Sequence, residues 1–343
     1  MVLILALAGW VVQLFSVAGQ FKTIEPHFDG QCRQIKGVVG PEDITIHPKT
    51  GIAYISSCNR RAVERGRPGG GAIYAYKLGQ DPAGLINLTP DADKDFQPHG
   101  ISLFLGAQGR DELFVVNHQG GKHKIEIYDL EDGQLSHRQT LSDPLLVSPN
   151  DIVAIDRDRF YVTNDHRYPR GIKRTAEEYL RLKLSNVLFY NGSNFIEAAS
   201  GIAHANGINV SSDGLTIYVS AVIERALHIY KRDPTTNALT LESKLELETG
   251  IDNIEIDQKG DLWIGAHPKL LDFVKHARSP AAISPSQVLH LNREKNGKFN
   301  VAEVYIDDGK EISGSSVAAV SGSRLLIGCV FDQIFLDCQR QAP

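Results

Sequence analysis

The sequence predicts an all-β fold: a six-bladed β-propeller with central calcium sites and a hydrophobic N-terminal segment. Three observations predict it. Short apolar, β-branched and aromatic runs come in six pairs, at a period of roughly fifty residues. A further short strand pattern leads most pairs. Acid and amide side chains stand at the mouth of four of these leading strands. A β-sandwich of as many strands is the competing fold.

In chain order, residues 1–17 (MVLILALAGWVVQLFSV) are mostly apolar and lack a basic start. That length is at the short limit for spanning a bilayer. Segment 1–20 is expected to be a signal peptide or membrane anchor, with a truncated or buried helix as the alternative. Residues 30–340 are expected to form the propeller as one domain. Its units read 44–46 leading 51–56 and 72–76; 100–104 leading 113–117 and 125–128; and 152–155 leading 160–163 and 187–190. They continue with 207–210 leading 216–219 and 227–230; 254–256 leading 262–265 and 288–291; and 317–320 leading 325–328 and 333–336. Turn signals such as Pro48-Lys49-Thr50-Gly51 and Ser212-Asp213-Gly214 separate the leading strand from its pair. Helical composition is confined to 175–183, and 270–277 reads as a short helix or a lid loop. The basic, glycine-rich stretch 60–71 reads as a mobile surface loop, either a plain insertion or a substrate gate.

With 343 residues, 42% of them hydrophobic, the chain can bury a large core. A formal charge of −5 argues against nucleic acid as a partner. Of four cysteines, Cys32 and Cys338 stand near the two ends, where a closed ring would use a clasp, while Cys58 and Cys329 sit inside strand-like runs. Four reduced, buried thiols are the alternative. Three sequons, at Asn87, Asn191 and Asn209, fit a secreted glycoprotein.

In a propeller the inner strands end at one face, so donors far apart in sequence converge there. The convergent set is Glu42, Asn150, Asn206, Asp252 and Asn253, all oxygen donors. That composition suits Ca²⁺, which takes six to eight oxygens, better than Zn²⁺. Neighbouring side chains on an extended strand point to opposite sides, so Asp43 and Asp151 are expected to face away from Glu42 and Asn150. Buried unpaired carboxylates are costly, and a second ion deeper in the channel would resolve that. His99 precedes the second leading strand and His118 ends the strand after it; as a pair they suit a general base and its partner. His166 and His267 occupy matching places in other units, to line the same pocket or to hold loops. There is no Gly-x-Ser-x-Gly elbow and no phosphate-binding glycine loop.

The blocks Pro41-Glu42-Asp43, Phe96-Gln97-Pro98-His99-Gly100-Ile101-Ser102, Val115-Val116-Asn117-His118, Pro149-Asn150-Asp151-Ile152, Thr163-Asn164-Asp165-His166, Ala205-Asn206-Gly207, Asp252-Asn253-Ile254 and Gly265-Ala266-His267-Pro268 resemble the serum paraoxonase/arylesterase family of six-bladed propellers. The resemblance runs from about Cys32 to Cys338. It implies a calcium-dependent hydrolase of lactones and aryl esters, with organophosphate hydrolysis as a side activity. It implies two calcium ions: a catalytic one on Glu42, Asn150, Asn206, Asp252 and Asn253, and a structural one on Asp43, Asp151 and the carbonyl of Ile101. His99 and His118 match the proposed catalytic dyad, and His267 matches a histidine near the substrate pocket. Cys32 and Cys338 match the family's single disulfide. A secreted or membrane-associated location, through the N-terminus, is implied as well. Ala266 stands where the family has a free cysteine, Cys58 and Cys329 are extra, and stretch 60–71 is longer. A sugar lactonase of the gluconolactonase type, or a non-catalytic calcium-rigidified propeller binding module, are the alternatives.

Overall fold

A computed structural model describes residues 2–79 and 84–341; Met1, the first residue of the expected leader, lies outside the described residues. Six antiparallel sheets are present. The innermost strands are Pro41–Ile46, Pro98–Phe104, Pro149–Ala154, Ala205–Val210, Gly250–Ile256 and Ser315–Ser321. Each of these touches the next, and the sixth touches the first, so the sheets are six blades around one hub.

The core is six sandwiches rather than one centre. Each apolar cluster joins two neighbouring blades: Phe114 and Val116 of blade 2 meet Phe160 and Val162 of blade 3, and Trp263 and Val288 of blade 5 meet Ala318 and Leu325 of blade 6. A middle strand is therefore covered on both faces, which is why Leu113-Phe114-Val115-Val116 is apolar without alternation.

The ring is closed by its two ends. Strand Gly30–Lys36 forms the outer strand of blade 6 against Ile334–Arg340, with Cys32 directly opposite Cys338. These two form a disulfide. Linking residues 306 apart in sequence removes loop entropy worth on the order of 5 kcal/mol in the chain-entropy model. Cys58 and Cys329 are buried thiols.

Among the described residues, four α-helices stand at one end of the hub: α1 (Val2–Val17), α2 (Arg60–Glu64), α3 (Ile172–Tyr179) and α4 (Leu270–Arg278). Helix α1 stops at Gly19, whose φ of +73° supplies the left-handed residue a helix end commonly needs. The amide of Leu270 in α4 then donates to the Ala18 carbonyl at 2.9 Å, tying α1 to α4. No described helix is long and apolar enough to cross a membrane. Helix α3 begins earlier and ends earlier than its composition predicts. Arg181 takes a positive φ just beyond it, and the Glu177 carboxylate within it accepts the amides of Arg167 and Tyr168. Stretch 60–71, expected to be a mobile surface loop, instead opens with α2, capped by Asn59, whose Oδ1 accepts the Ala62 amide at 3.0 Å. Arg61 pins it further, donating to the carbonyls of His276 and Phe331 at 2.7 and 3.1 Å.

Candidate active site

Every inner strand carries a register irregularity at its helix-bearing end, between Pro41 and Asp43, Pro98 and Ile101, Pro149 and Ile152, Ala205 and Ile208, Ile251 and Ile254, and Ser315 and Val317. Such bulges re-aim side chains. Glycines let the bulged strands approach one another: a Cβ on Gly100 would lie 2.4 Å from Asp151 Cα, and one on Gly207 would lie 2.7 Å from Asn253 Cα.

The five oxygen donors all reach the hub buried, between 1% and 6% exposed. Glu42 Oε2, Asn150 Oδ1, Asn206 Oδ1, Asp252 Oδ1 and Asn253 Oδ1 are each buried without a hydrogen-bond partner among the described residues. One buried acceptor left unsatisfied costs about 1–3 kcal/mol; five around one hub require something that accepts lone pairs. The other atoms of the set are tied back. Asn253 Nδ2 donates to Glu42 Oε1 at 2.9 Å, which turns Asn253 Oδ1 away from that carboxylate. His267 Nε2 lies 2.7 Å from Asp252 Oδ2. Two carboxylates and three amide oxygens, a set made only of oxygens, fit a hard divalent cation.

Asp43 and Asp151 address the other side of the hub. Asp43 Oδ2 accepts the Ile101 amide at 2.7 Å, and Asp151 Oδ2 accepts the Ile208 amide at 2.8 Å. With Ile101 they line a second space, of about 490 Å³, deeper in the channel. Simple alternation is not what separates them from Glu42 and Asn150, because the bulge lies between. Burial, reinforced by Glu42, pushes the Asp43 carboxyl well above the usual carboxylate range, and burial with Asp43 does the same to Asp151. Burial also raises Glu42, but the His99 imidazole and the Arg60 guanidinium outweigh it and hold Glu42 down at about 2. This many carboxylates in one dry channel favour a bound countercharge.

His99 stands at the edge of the set, its Nε2 3.6 Å from Glu42 Oε2. Its Nδ1 lies 2.8 Å from His118 Nε2. Burial, with His99 and His123 nearby, pushes His118 well below the usual histidine range, so it is neutral near pH 7.

A cavity of about 410 Å³ opens over these groups. Its floor is Glu42, His99, Asn150, Asn206 and Asp252, and its apolar wall comes from α1 and α4, including Leu14, Val17, Leu271 and Phe273. His267 lines it from beneath Phe273, on which its ring stacks at 3.9 Å. His166 is set back, with Nδ1 2.7 Å from Asp165 and Nε2 3.1 Å from Glu178; those two acids line the cavity in its place. Three groups at the site escape sequence reasoning. Arg60 Nη2 reaches within 3.6 Å of Glu42. His204, at a φ of +64°, packs its ring on His166 at 4.7 Å. His123 Nδ1 lies 2.7 Å from His118 Nδ1. His123 is brought there by the doublet Gly120-Gly121, both at positive φ, which curls the chain back on itself.

Residues 22–339 match the family model described as Arylesterase. The chain is 35% identical to rat serum paraoxonase/arylesterase 2 (Rattus norvegicus), covering 88% of this chain and 87% of that one. It is 34% identical to human serum paraoxonase/arylesterase 1, covering 90% and 89%. Among solved structures, a calcium-binding protein, regucalcin, from Agrobacterium tumefaciens superposes with a TM-score of 0.55 at 14% identity, covering 92% of this chain and 96% of that one; at that distance the likeness shows the fold. With the family model covering nearly the whole propeller, and identity to the paraoxonases sustained along it, the chain belongs to the arylesterase family.

Proposed function

We propose that the protein is a calcium-dependent hydrolase of aryl esters and lactones, with slow organophosphate hydrolysis as a side activity. The observation that carries this reading is the set of five partnerless buried oxygens beside His99 in a chain of the arylesterase family. Glu42, Asn150, Asn206, Asp252 and Asn253 would hold one Ca²⁺, and Asp43, Asp151 and the Ile101 carbonyl a second. When bound, the first ion supplies a Lewis acid for the ester carbonyl and charge stabilisation for the oxyanion that develops.

The chain's own residues do the rest. His99 Nε2 takes the proton of a water at the cavity floor, and His118 Nε2, bonded to His99 Nδ1, orients the ring and shares the charge it gains. Burial keeps His118 neutral, which leaves it able to do so. The α1 and α4 wall binds the apolar acyl or aryl part and excludes water. That wall favours lipophilic substrates over sugar lactones.

We assign the protein to the secreted or membrane-associated class, with α1 as the signal or anchor. The disulfide belongs to an oxidising compartment, and α1 presents Trp10, Val11, Val12 and Phe15 to solvent. Asn87 and Asn191 are exposed, as glycan acceptors must be. Asn209 is not available, since its Nδ2 donates to the Ile254 carbonyl at 2.7 Å inside the channel.

The test is hydrolysis of phenyl acetate and of a panel of acyl and sugar lactones, in calcium and in excess chelator. Turnover of lipophilic lactones that is lost on chelation is expected. Undiminished turnover in chelator, or none on any ester in calcium, overturns the reading.

A further inference from the structure

Three imidazoles stand in line from the cavity edge outward: His99 Nδ1 is 2.8 Å from His118 Nε2, and His118 Nδ1 is 2.7 Å from His123 Nδ1. Each of these contacts needs one proton between its nitrogens. A neutral imidazole carries a single N–H, so one ring nitrogen donates and the other accepts. His118 uses both nitrogens, so it donates at one end and accepts at the other. The chain therefore has only two proton arrangements.

In the first, every ring donates outward: His99 Nδ1–H to His118 Nε2, then His118 Nδ1–H to His123 Nδ1. His99 Nε2 then presents a free lone pair at the cavity floor. In the second, every ring donates inward, and His99 Nε2 carries a hydrogen toward Glu42. A nitrogen already bearing hydrogen cannot remove a proton from water. Only the first arrangement yields a base at the position where the proposed reaction needs one.

What selects between them lies at the outer end. His123 is only half-buried, and its Nε2 is not among the buried partnerless atoms, so a hydrogen there is within reach of water. With Nδ1 turned to His118, His123 can carry its hydrogen on Nε2, where water satisfies it, and Nδ1 is left as an acceptor. The Glu42 carboxylate, 3.6 Å from His99 Nε2, pulls the opposite way until a cation engages it. With that pull removed, the outward arrangement is the one that presents a base to the cavity.

We propose that His123 is a positioning residue: by accepting the Nδ1–H of His118 it fixes the tautomers of all three rings, so that His99 Nε2 faces the cavity as a free base. This rests on the reading of His99 as the general base.

The test uses the full chain saturated with calcium and labelled with ¹⁵N-histidine. Nitrogen shifts, assigned through single substitutions, are expected to show His99 and His118 as Nδ1–H tautomers and His123 as Nε2–H. In His123→Leu, His99 should become a mixture of tautomers. Its kcat should fall about tenfold with KM unchanged, the signature of a lost transition-state interaction. Free imidazole should restore activity to His123→Ala but not to His99→Ala. His99 found as the Nε2–H tautomer in the unsubstituted protein, or a His123→Leu protein with undiminished kcat, overturns the proposal. Should His99→Gln retain full activity, the hydrolase mechanism falls instead, while the nitrogen shifts still decide the proton arrangement.

Discussion

His267 Nε2 sits 2.7 Å from Asp252 Oδ2 while Asp252 Oδ1 is left bare toward the hub. The imidazole holds the carboxylate in the orientation that offers its other oxygen. Such outer partners typically carry about 10–100-fold in metal affinity. His267→Ala should therefore weaken calcium binding by about that factor, with activity recovering at high calcium. Calorimetric calcium titration of the variant checks this, and an unchanged Kd would refute it.

Asp252 itself should be indispensable. Asp252→Ala removes one of the two carboxylates of the set and should abolish esterase activity. A cation bound only by the native state adds roughly 3 kcal/mol at a hundredfold excess over Kd. Chelation should lower the Tm of the unsubstituted protein markedly, and that of Asp252→Ala far less.

A pH dependence follows from His166. Burial disfavours its charge, but Asp165 and Glu178 outweigh burial and raise it from 6.5 to about 9. A folded-state pKa above the unfolded one stabilises fully below the unfolded value and is lost as pH rises through the folded one. Stability should thus decline between about pH 6.5 and 9 through this group. Unfolding midpoints of His166→Gln should be lower at pH 6 and flatter across that window; an identical slope would remove His166 as the cause.

The cavity wall gives a substrate prediction. Val274 lines it from α4. Val274→Asp should raise KM for long-chain lactones about tenfold or more, since burying several methylene groups is worth roughly 0.8 kcal/mol each. It should affect phenyl acetate much less. Equal effects on both substrates would mean that the acyl chain lies elsewhere.

The ring clasp can be opened selectively. Cys338→Ser should cost about 3–5 kcal/mol in urea unfolding, and reductant should do the same to the unsubstituted protein but add nothing to the variant.

Much of this molecule is legible in its sequence because the relevant signals are local. The paired strands announce themselves through apolar runs and turns, and Glu42, Asn150, Asn206 and Asp252 stand at the mouths of leading strands. The bulges are not legible, because a register shift is a relation between two strands. The expectation that Asp43 turns away from Glu42 by simple alternation passed over the bulge between them. The flexible reading of stretch 60–71 weighed its glycines and overlooked Asn59 as a cap and Arg61 as an anchor. His123 was silent because a histidine in a polar loop has no pattern; only the curl at Gly120-Gly121 brings it to His118.

The blade that carries both chain ends also sets a timetable for biosynthesis. Cys32 is synthesised 306 residues ahead of Cys338, and its strand has no neighbour until Ile334–Arg340 follows. Cys58 emerges much sooner than Cys338 and is a thiol in the finished molecule, so a premature 32–58 bridge must be avoided or undone. A nascent chain stalled before Ile334–Arg340 would hold five complete blades around an open seam, which makes the arrival of that strand, rather than any earlier step, the moment at which the wheel becomes whole.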